Sequence, residues 1–334
     1  MTRLITRRDA LRGGLAFGMA GTGMLAFGRL PAHAQQAKLA LAHIYTTTTP
    51  NHLAVQAFAE TLKEKLGDQM AVEVLPGAQM GGERDIVDSI SVGSLDAGDV
   101  SAGVLATVFP KVGLFAAPYV FRDRDHQLEV VNGPIGTEIY EGLRKEAGIR
   151  VLASYFQPPR HLTSNREIKS AADAKGLKLR VPEVPVWTRY WQTVGANPTP
   201  INFSEVYTSL QLGVVEAQEN PYIYVDSGKL FEVQKFLTLT AHVRNMEWIV
   251  INEEKFSSFD KPVQEALIEA GQAAQSFLNE RWLKDDDTLR QKFLDAGMKL
   301  VDADVESFRK VMLDSYDAIL GNADLSDLFK RVNA

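Results

Sequence analysis

Between residues 38 and 92 the chain alternates strand-length apolar runs with helical patterns, in the order strand (38–45), helix (50–66), strand (70–75), helix (82–92). Strands separated by helices of this length are joined by crossovers, so the order argues for an α/β fold whose strands run largely parallel. In the first helix Leu53, Ala57, Phe58, Thr61 and Leu62 recur at helical spacing, while Glu60, Lys63, Glu64 and Lys65 take the remaining positions. That is the pattern of a surface helix packed on a sheet.

Residues 149–156 form another apolar strand, which runs into Pro158-Pro159 and resumes extended from His161. Two prolines forbid helix there and hold the preceding residues extended. A strand that leaves one lobe and enters another through such a joint makes a hinge. The strand patterns at 235–243 and 247–256 then bring the chain back. Each lobe is therefore expected to be discontinuous, with lobe I at 35–157 plus about 246–285 and lobe II at 158–245 plus about 286–334. From 260 to 296 the pattern is helical, with Asp260 as N-cap, Pro262 in the first turn and Gly297 as the stop. At 1.5 Å per residue this helix would reach roughly 55 Å, enough to lie along both lobes. Two helices broken around residues 284–287 are the alternative.

Residues 1–34 read as an export signal: paired Arg7-Arg8, an uncharged run from 13 to 28, and Ala32-His33-Ala34 as a small-x-small cleavage site. The twin arginines and the glycine-rich core favour the twin-arginine route over Sec export, and the glycines break the run too often for a spanning helix. Loss of this segment removes Arg3, Arg7, Arg8, Arg12 and Arg29 and one acid, Asp9, and takes the net charge from −6 to −10. So acidic a chain disfavours nucleic acid and anionic membrane as partners. Cysteine is absent, which removes disulfides, thiol catalysis, thiolate metal sites and a lipidated N-terminus. A freely soluble periplasmic monomer is expected, with no cofactor and no metal.

Three later segments carry chemistry: residues 159–166 (Pro-Arg-His-Leu-Thr-Ser-Asn-Arg), 176–182 (Gly-Leu-Lys-Leu-Arg-Val-Pro) and 218–221 (Gln-Glu-Asn-Pro). A guanidinium grips a carboxylate with two parallel hydrogen bonds and stays charged at ordinary pH. In 177–181 the apolar Leu177, Leu179 and Val181 alternate with Lys178 and Arg180, and Pro182 ends the strand, so Arg180 stands at a strand's C-terminal end, where α/β sheets bind ligands. Asn220 can donate to a carboxylate and accept from a hydroxyl. His43 and Tyr45, at the end of the first strand, are expected to face the cleft. Enzyme motifs are missing: there is no Gly-x-Ser-x-Gly elbow and no His-Glu-x-x-His, and the histidines are scattered.

With residues 76–84 (Pro-Gly-Ala-Gln-Met-Gly-Gly-Glu-Arg), 195–200 (Gly-Ala-Asn-Pro-Thr-Pro) and 203–207 (Phe-Ser-Glu-Val-Tyr), these segments resemble the solute-binding proteins of tripartite ATP-independent periplasmic (TRAP) transporters, from about residue 38 to about residue 300. The resemblance implies a two-lobed periplasmic-binding-protein fold that closes on a small organic anion and delivers it to an integral-membrane permease. It implies that Arg180 pairs with the ligand carboxylate, that Arg160 and Asn220 support it, that Phe203 shapes the wall, and that Glu83 meets ligand hydroxyls. Ser101 stands where the sialic-acid branch is expected to carry an acid, which argues against sialic acid. Trp187 and Tyr222 or Tyr224 are candidates for further walls, while Glu219 and Arg166 read as structural. A sugar acid is the first choice of ligand, a C4-dicarboxylate the second, an aromatic or keto acid the third. A periplasmic sensor and, last, an exported enzyme are the competing functions.

Overall fold

The computed structural model describes residues 37–333, apart from the side chains of residues 283–286. The expected export signal at 1–34 lies outside the described residues. Eleven strands are described: β1 (Ala37–Ala42), β2 (Met70–Leu75), β3 (Ala97–Ser101), β4 (Ile149–Phe156), β5 (Arg160–Ser164), β6 (Lys178–Val181), β7 (Asn197–Pro200), β8 (Ala217–Asn220), β9 (Phe236–Val243), β10 (Met246–Asn252) and β11 (Lys299–Val301). They form two sheets, one ordered β2-β1-β3-β10-β4 and one ordered β11-β9-β5-β8-β6-β7.

Both sheets are mixed, yet in each all described strands but one run the same way, as expected of largely parallel strands. β1 runs parallel to β2 and β3, as the strand–helix alternation dictates. β10 instead returns from the second sheet and inserts antiparallel between β3 and β4. In the second sheet β5 pairs antiparallel with β8 and β9 for the same reason. All seven residues of β10 are buried. A strand covered on both faces reads as a continuous apolar run, and Trp248-Ile249-Val250-Ile251 is such a run. Beyond Asn252 the strand expected to reach residue 256 gives way to the helix Glu253–Ser257, because the Asn252 side chain accepts from the Lys255 backbone N–H and caps it.

The sheets are joined by β4 to β5 through Gln157-Pro158-Pro159, and by β9 to β10 through Arg244-Asn245. The two crossings are tied together where Gln157 N–H donates to the Asn245 carbonyl at 2.9 Å. A third link is the helix Lys261–Asp295, continuous over 35 residues and without the break weighed at 284–287. It packs on the helix Pro50–Leu66 and on β4 at its start, and on the helix Tyr222–Ser227 further along. Gly271 makes the contact with β4 possible, since a Cβ there would lie 2.1 Å from the Leu152 carbonyl oxygen. Near the C-terminus β11 joins the second sheet and the helix Val305–Leu320 packs against the helix Pro185–Val194, while the helix Ala323–Asn333 packs on the turn Pro110–Ala116. No described helix is long and apolar enough to cross a membrane.

Candidate functional site: a buried cavity between an arginine wall and an acidic wall

Between the two sheets lies a small cavity of about 40 Å³ lined by Ile44, Tyr45, Glu83, Ser101, Gln157, Arg160, Arg180, Pro182, Trp187, Phe203, Asn220, Tyr224 and Asn245. A larger groove of about 280 Å³ runs along β4, but its arginines, Arg144 and Arg150, are already neutralised by Glu141 and Glu253.

The second sheet supplies the cationic wall. β6 lies between β7 and β8, with Arg180 opposite Thr199 and Gln218. Arg180 is 2 % exposed, and its Nε donates to the Ile201 carbonyl at 2.9 Å. Among the described residues no carboxylate comes within ion-pair distance of it. Burial pushes the guanidinium down to about 9 against the upward pull of Glu219, with Arg160 pushing the same way as burial. A guanidinium remains charged there, so Arg180 is a desolvated cation directed at the cavity without a counter-charge in contact.

Arg160 is held differently. Its Nε donates to Glu219 Oε2 at 2.5 Å, and its Nη2 donates to Glu219 Oε1 at 3.0 Å and to Asn220 Oδ1 at 2.8 Å. The guanidinium carbon sits 4.5 Å from the centre of the Trp187 ring. Glu219 also meets His242 Nε2 at 3.0 Å, and Thr240 Oγ1 lies 2.8 Å from the other nitrogen of that ring. Burial alone would raise Glu219, but Arg160 and His242 overcome it and bring the carboxyl to about 2. Arg160 therefore both lines the cavity and is neutralised from behind by Glu219. Asn220 is fixed in turn, its amide donating to Gln218 Oε1 at 2.6 Å. The strand Ala217–Asn220 ends at Asn220 and carries it to the cavity.

The first sheet supplies a wall of the opposite character. Glu83 opens the helix Glu83–Ser91 and accepts a short hydrogen bond from Ser101 N–H. Burial pushes its carboxyl up, while Ser101 and then Arg160 and Arg180 pull it back. The β10 register sets Glu247 opposite Ser101 on β3 and Tyr155 on β4, which places these side chains on one face of the sheet. Glu247 lies 2.5 Å from the Tyr45 hydroxyl and accepts from Gln157 Nε2. Asp99, two residues before Ser101, accepts from the Tyr155 hydroxyl at 2.6 Å and from Asn51 at 3.4 Å, and Asn51 Oδ1 accepts from the Tyr224 hydroxyl at 3.0 Å. Tyr45 and Tyr224 stack with their centroids 5.1 Å apart. Glu247 and Asp99 are fully buried, and among the described residues neither has an ion-pair partner. Burial pushes both carboxyls up, Asp99 to about 8. Among the described residues no cluster of His, Asp or Glu could hold a metal.

Of the eight residues singled out in the sequence, seven line the cavity: Arg180, Arg160, Asn220, Phe203, Glu83, Ser101 and Tyr45. His43 does not. It is fully buried beneath Tyr45, with Nδ1 accepting from the Tyr45 N–H and Nε2 3.1 Å from His52, because the strand ends at Ala42 and the chain turns before the cleft. Burial, with His52 next, pushes His43 down to about 4. Arg166 bonds the carbonyls of Asp173 and Lys175, and Tyr224 and Trp187 are walls. Sequence reasoning missed Gln157 and Asn245 at the sheet crossings, and Asp99 and Glu247 behind the wall. The last two carry a legible signal: an acid inside a strand-length buried run.

Two mixed α/β sheets that meet over a cavity bearing buried arginines define a two-lobed binding protein for a small ligand. The chain belongs to the bacterial extracellular solute-binding protein family 7, which residues 41–322 match. It is similar to a TRAP periplasmic solute-binding protein of Roseobacter denitrificans whose structure holds L-galactonate, with TM-score 0.85 and 33 % identity over 90 % of this chain and 99 % of that one. It is similar as well to one from Xanthobacter autotrophicus with bound β-D-galacturonate, with TM-score 0.83 and 28 % identity over 88 % and 98 % of the two chains. The 2,3-diketo-L-gulonate-binding periplasmic protein of Escherichia coli is 32 % identical over 283 residues, 84 % of each chain. These are proteins that bind a substrate, not enzymes.

Proposed function

We propose that this protein is the exported, periplasmic capture component of a TRAP transporter, that it takes a sugar acid with a single carboxylate, and that it hands the acid as a monomer to an integral-membrane permease. The observation that carries the reading is Arg180, a buried guanidinium that faces the cavity with no carboxylate in contact. A ligand carboxylate supplies the missing charge through two parallel hydrogen bonds. Arg160 and Asn220 extend this grip, and Phe203 and Trp187 cover the carbon chain. Beyond the carboxylate the ligand meets Tyr45, Tyr224, Gln157, Ser101 and Glu83, groups suited to hydroxyls. A second carboxylate would land against the wall of Glu83, Glu247 and Asp99, which offers a desolvated charge no cation in contact. The wall therefore favours a polyol acid over a C4-dicarboxylate. Lobe I is taken as 35–157 with about 246–285, lobe II as 158–245 with about 286–334, and the two close about the crossings at 157–159 and 244–245.

Titration calorimetry against L-galactonate, β-D-galacturonate, D-glucuronate, 2,3-diketo-L-gulonate, succinate, malate and benzoate tests the reading. At least one sugar acid is expected to bind tightly and the dicarboxylates weakly or not at all. Preference for succinate or malate, or no binding by any sugar acid, would overturn it.

A further inference from the structure

Glu247 is absent from the cavity lining, yet its two carboxyl oxygens meet two residues that are there, Tyr45 and Gln157. We infer that Glu247 is a positioning residue for ligand recognition, which sets the hydrogen-bonding polarity that Tyr45 shows to the ligand. The inference rests on the reading of the cavity as a sugar-acid site.

The argument is one of hydrogen counting. Gln157 Nε2 can only donate, so Glu247 Oε2 accepts. The other oxygen shares the 2.5 Å contact with the Tyr45 hydroxyl. An ionised Glu247 is an acceptor only: it takes Tyr45's hydrogen and leaves lone pairs alone for the cavity. A neutral Glu247 brings a hydrogen of its own to that contact and frees Tyr45's hydroxyl hydrogen for the Tyr224 hydroxyl, with which Tyr45 is also hydrogen-bonded, or for a ligand oxygen.

The surroundings select the neutral form. Glu247 is fully buried. Facing it are Tyr45 from the segment after β1, Glu83 from the helix Glu83–Ser91, Asp99 and Ser101 from β3, Tyr155 from β4, Gln157 just after β4, and Tyr224 from the helix Tyr222–Ser227. Two are further carboxyl groups and none is a cation. His43, two residues before Tyr45, is buried and held neutral, and the arginines stand on the opposite wall. Desolvation and the neighbouring acids both resist ionisation. Gln157 stays in place because its amide also reaches the Tyr224 hydroxyl at 3.4 Å and accepts from Asn245 at 3.4 Å. One buried acid thus fixes an amide and turns a tyrosine into a donor aimed at a hydroxyl or ring oxygen.

The test is a mutant cycle on the exported form of the protein, read by calorimetry at pH 7 with whichever of L-galactonate or β-D-galacturonate the wild type binds more tightly. Glu247→Gln reproduces the neutral acid, an N–H for Tyr45 and a carbonyl for Gln157, and is expected to stay within about threefold of wild type. Glu247→Met keeps the volume and removes both functions, and is expected to weaken binding roughly 10- to 100-fold, as is Tyr45→Phe. Combining Tyr45→Phe with Glu247→Met should add little, because both act through one hydroxyl. The inference is overturned if Glu247→Gln loses as much as Glu247→Met, if Glu247→Met or Tyr45→Phe binds like wild type, or if the methionine loss persists in full beside Tyr45→Phe. Near-ultraviolet circular dichroism and melting curves check folding. Should Glu247→Met fail to fold, retention in Glu247→Gln together with loss in Tyr45→Phe still supports the inference, and any other pairing overturns it. A wild type that binds no sugar acid removes the functional reading and this inference together, whereas wild-type binding that Glu247→Gln abolishes removes the inference alone.

Discussion

The two walls of the cavity bury charge by opposite rules. On the second sheet Arg160 is compensated by Glu219 and His242, and Arg180 is left for an anion to compensate. On the first sheet Glu247 and Asp99 are buried with amides and phenols and no cation. A buried charge must be paired or lost. The arginine wall keeps its charges, one paired and one left for an anion, and the acidic wall gives its charges up. The difference separates two tasks: a charged wall grips any carboxylate, and a neutralised one reads the hydroxylated remainder of the ligand.

The comparison can be broken most severely at Glu219. Removal of one partner of a buried pair leaves the other uncompensated, so Glu219→Ala is expected to destabilise the fold by about 3–5 kcal/mol in urea unfolding. A loss below about 1 kcal/mol, the size expected of an exposed pair, would show that Arg160 does not depend on its buried partner. Next in size, Arg180→Ala is expected to weaken sugar-acid binding by about 2–5 kcal/mol and by a similar factor for every acid that binds. Arg180→Lys should recover part of this, since an ammonium lacks the two-pronged geometry. Near wild-type affinity for Arg180→Ala in calorimetry would move the grip elsewhere.

The walls should also titrate in opposite senses. Glu219 is depressed to about 2 in the folded protein, below its unfolded value, so the stability it contributes is present above pH 4 to 5 and is lost as pH falls toward 2. Asp99 is raised to about 8. Between its unfolded value near 4 and pH 8 the folded state holds a proton that the unfolded state has released, so its contribution is full below pH 4 and declines as pH rises. One such proton changes stability by at most about 1.4 kcal/mol per pH unit. Asp99→Asn should flatten the decline between pH 5 and 8 in urea melts and leave the acid limb intact. An unchanged slope would mean that Asp99 is ionised in the fold.

Much of this was legible in the sequence, for physical reasons. The helix Pro50–Leu66 falls where periodicity places it, because Ala54, Val55, Phe58, Leu62 and Leu66 bury one face, and β2 and β4 fall where their apolar runs place them. The reversal of β10 was not legible, since apolar content does not encode strand direction. Arg180 could be found because alternation and Pro182 mark a strand's end. His43 was misplaced because a shift of the strand end by a few residues turns a cleft side chain into a core one. Glu247 and Asp99 were passed over because a single acid in an apolar run says nothing of its partners, and here those partners come from four separate elements.

The smallest expected effect is also the most discriminating, and it concerns Ser101. This residue lines the cavity on the first sheet, and its Oγ caps the short helix Ala102–Leu105 by accepting from Val104 N–H at 3.4 Å. Loss of such a cap costs about 1 kcal/mol of stability, too little to unfold the protein. Its backbone N–H still holds Glu83 after the change to alanine, while the hydroxyl that also bonds Glu83 is lost. Ser101→Ala therefore removes one hydroxyl from the reading wall and leaves the arginines untouched. A site that hydrogen-bonds a ligand hydroxyl discriminates against analogues lacking it, because its own polar groups are then unpaired. Alanine at 101 should narrow the gap between hydroxylated and deoxygenated acids, whereas Arg180→Ala should lower both and keep the gap. One panel of sugar acids and their deoxy analogues, measured on the wild type and these two variants, decides the matter. If Ser101→Ala scales every affinity equally and Arg180→Ala alone reorders them, the walls do not divide gripping from reading, and the buried acids behind Tyr45 serve the fold rather than the choice of ligand.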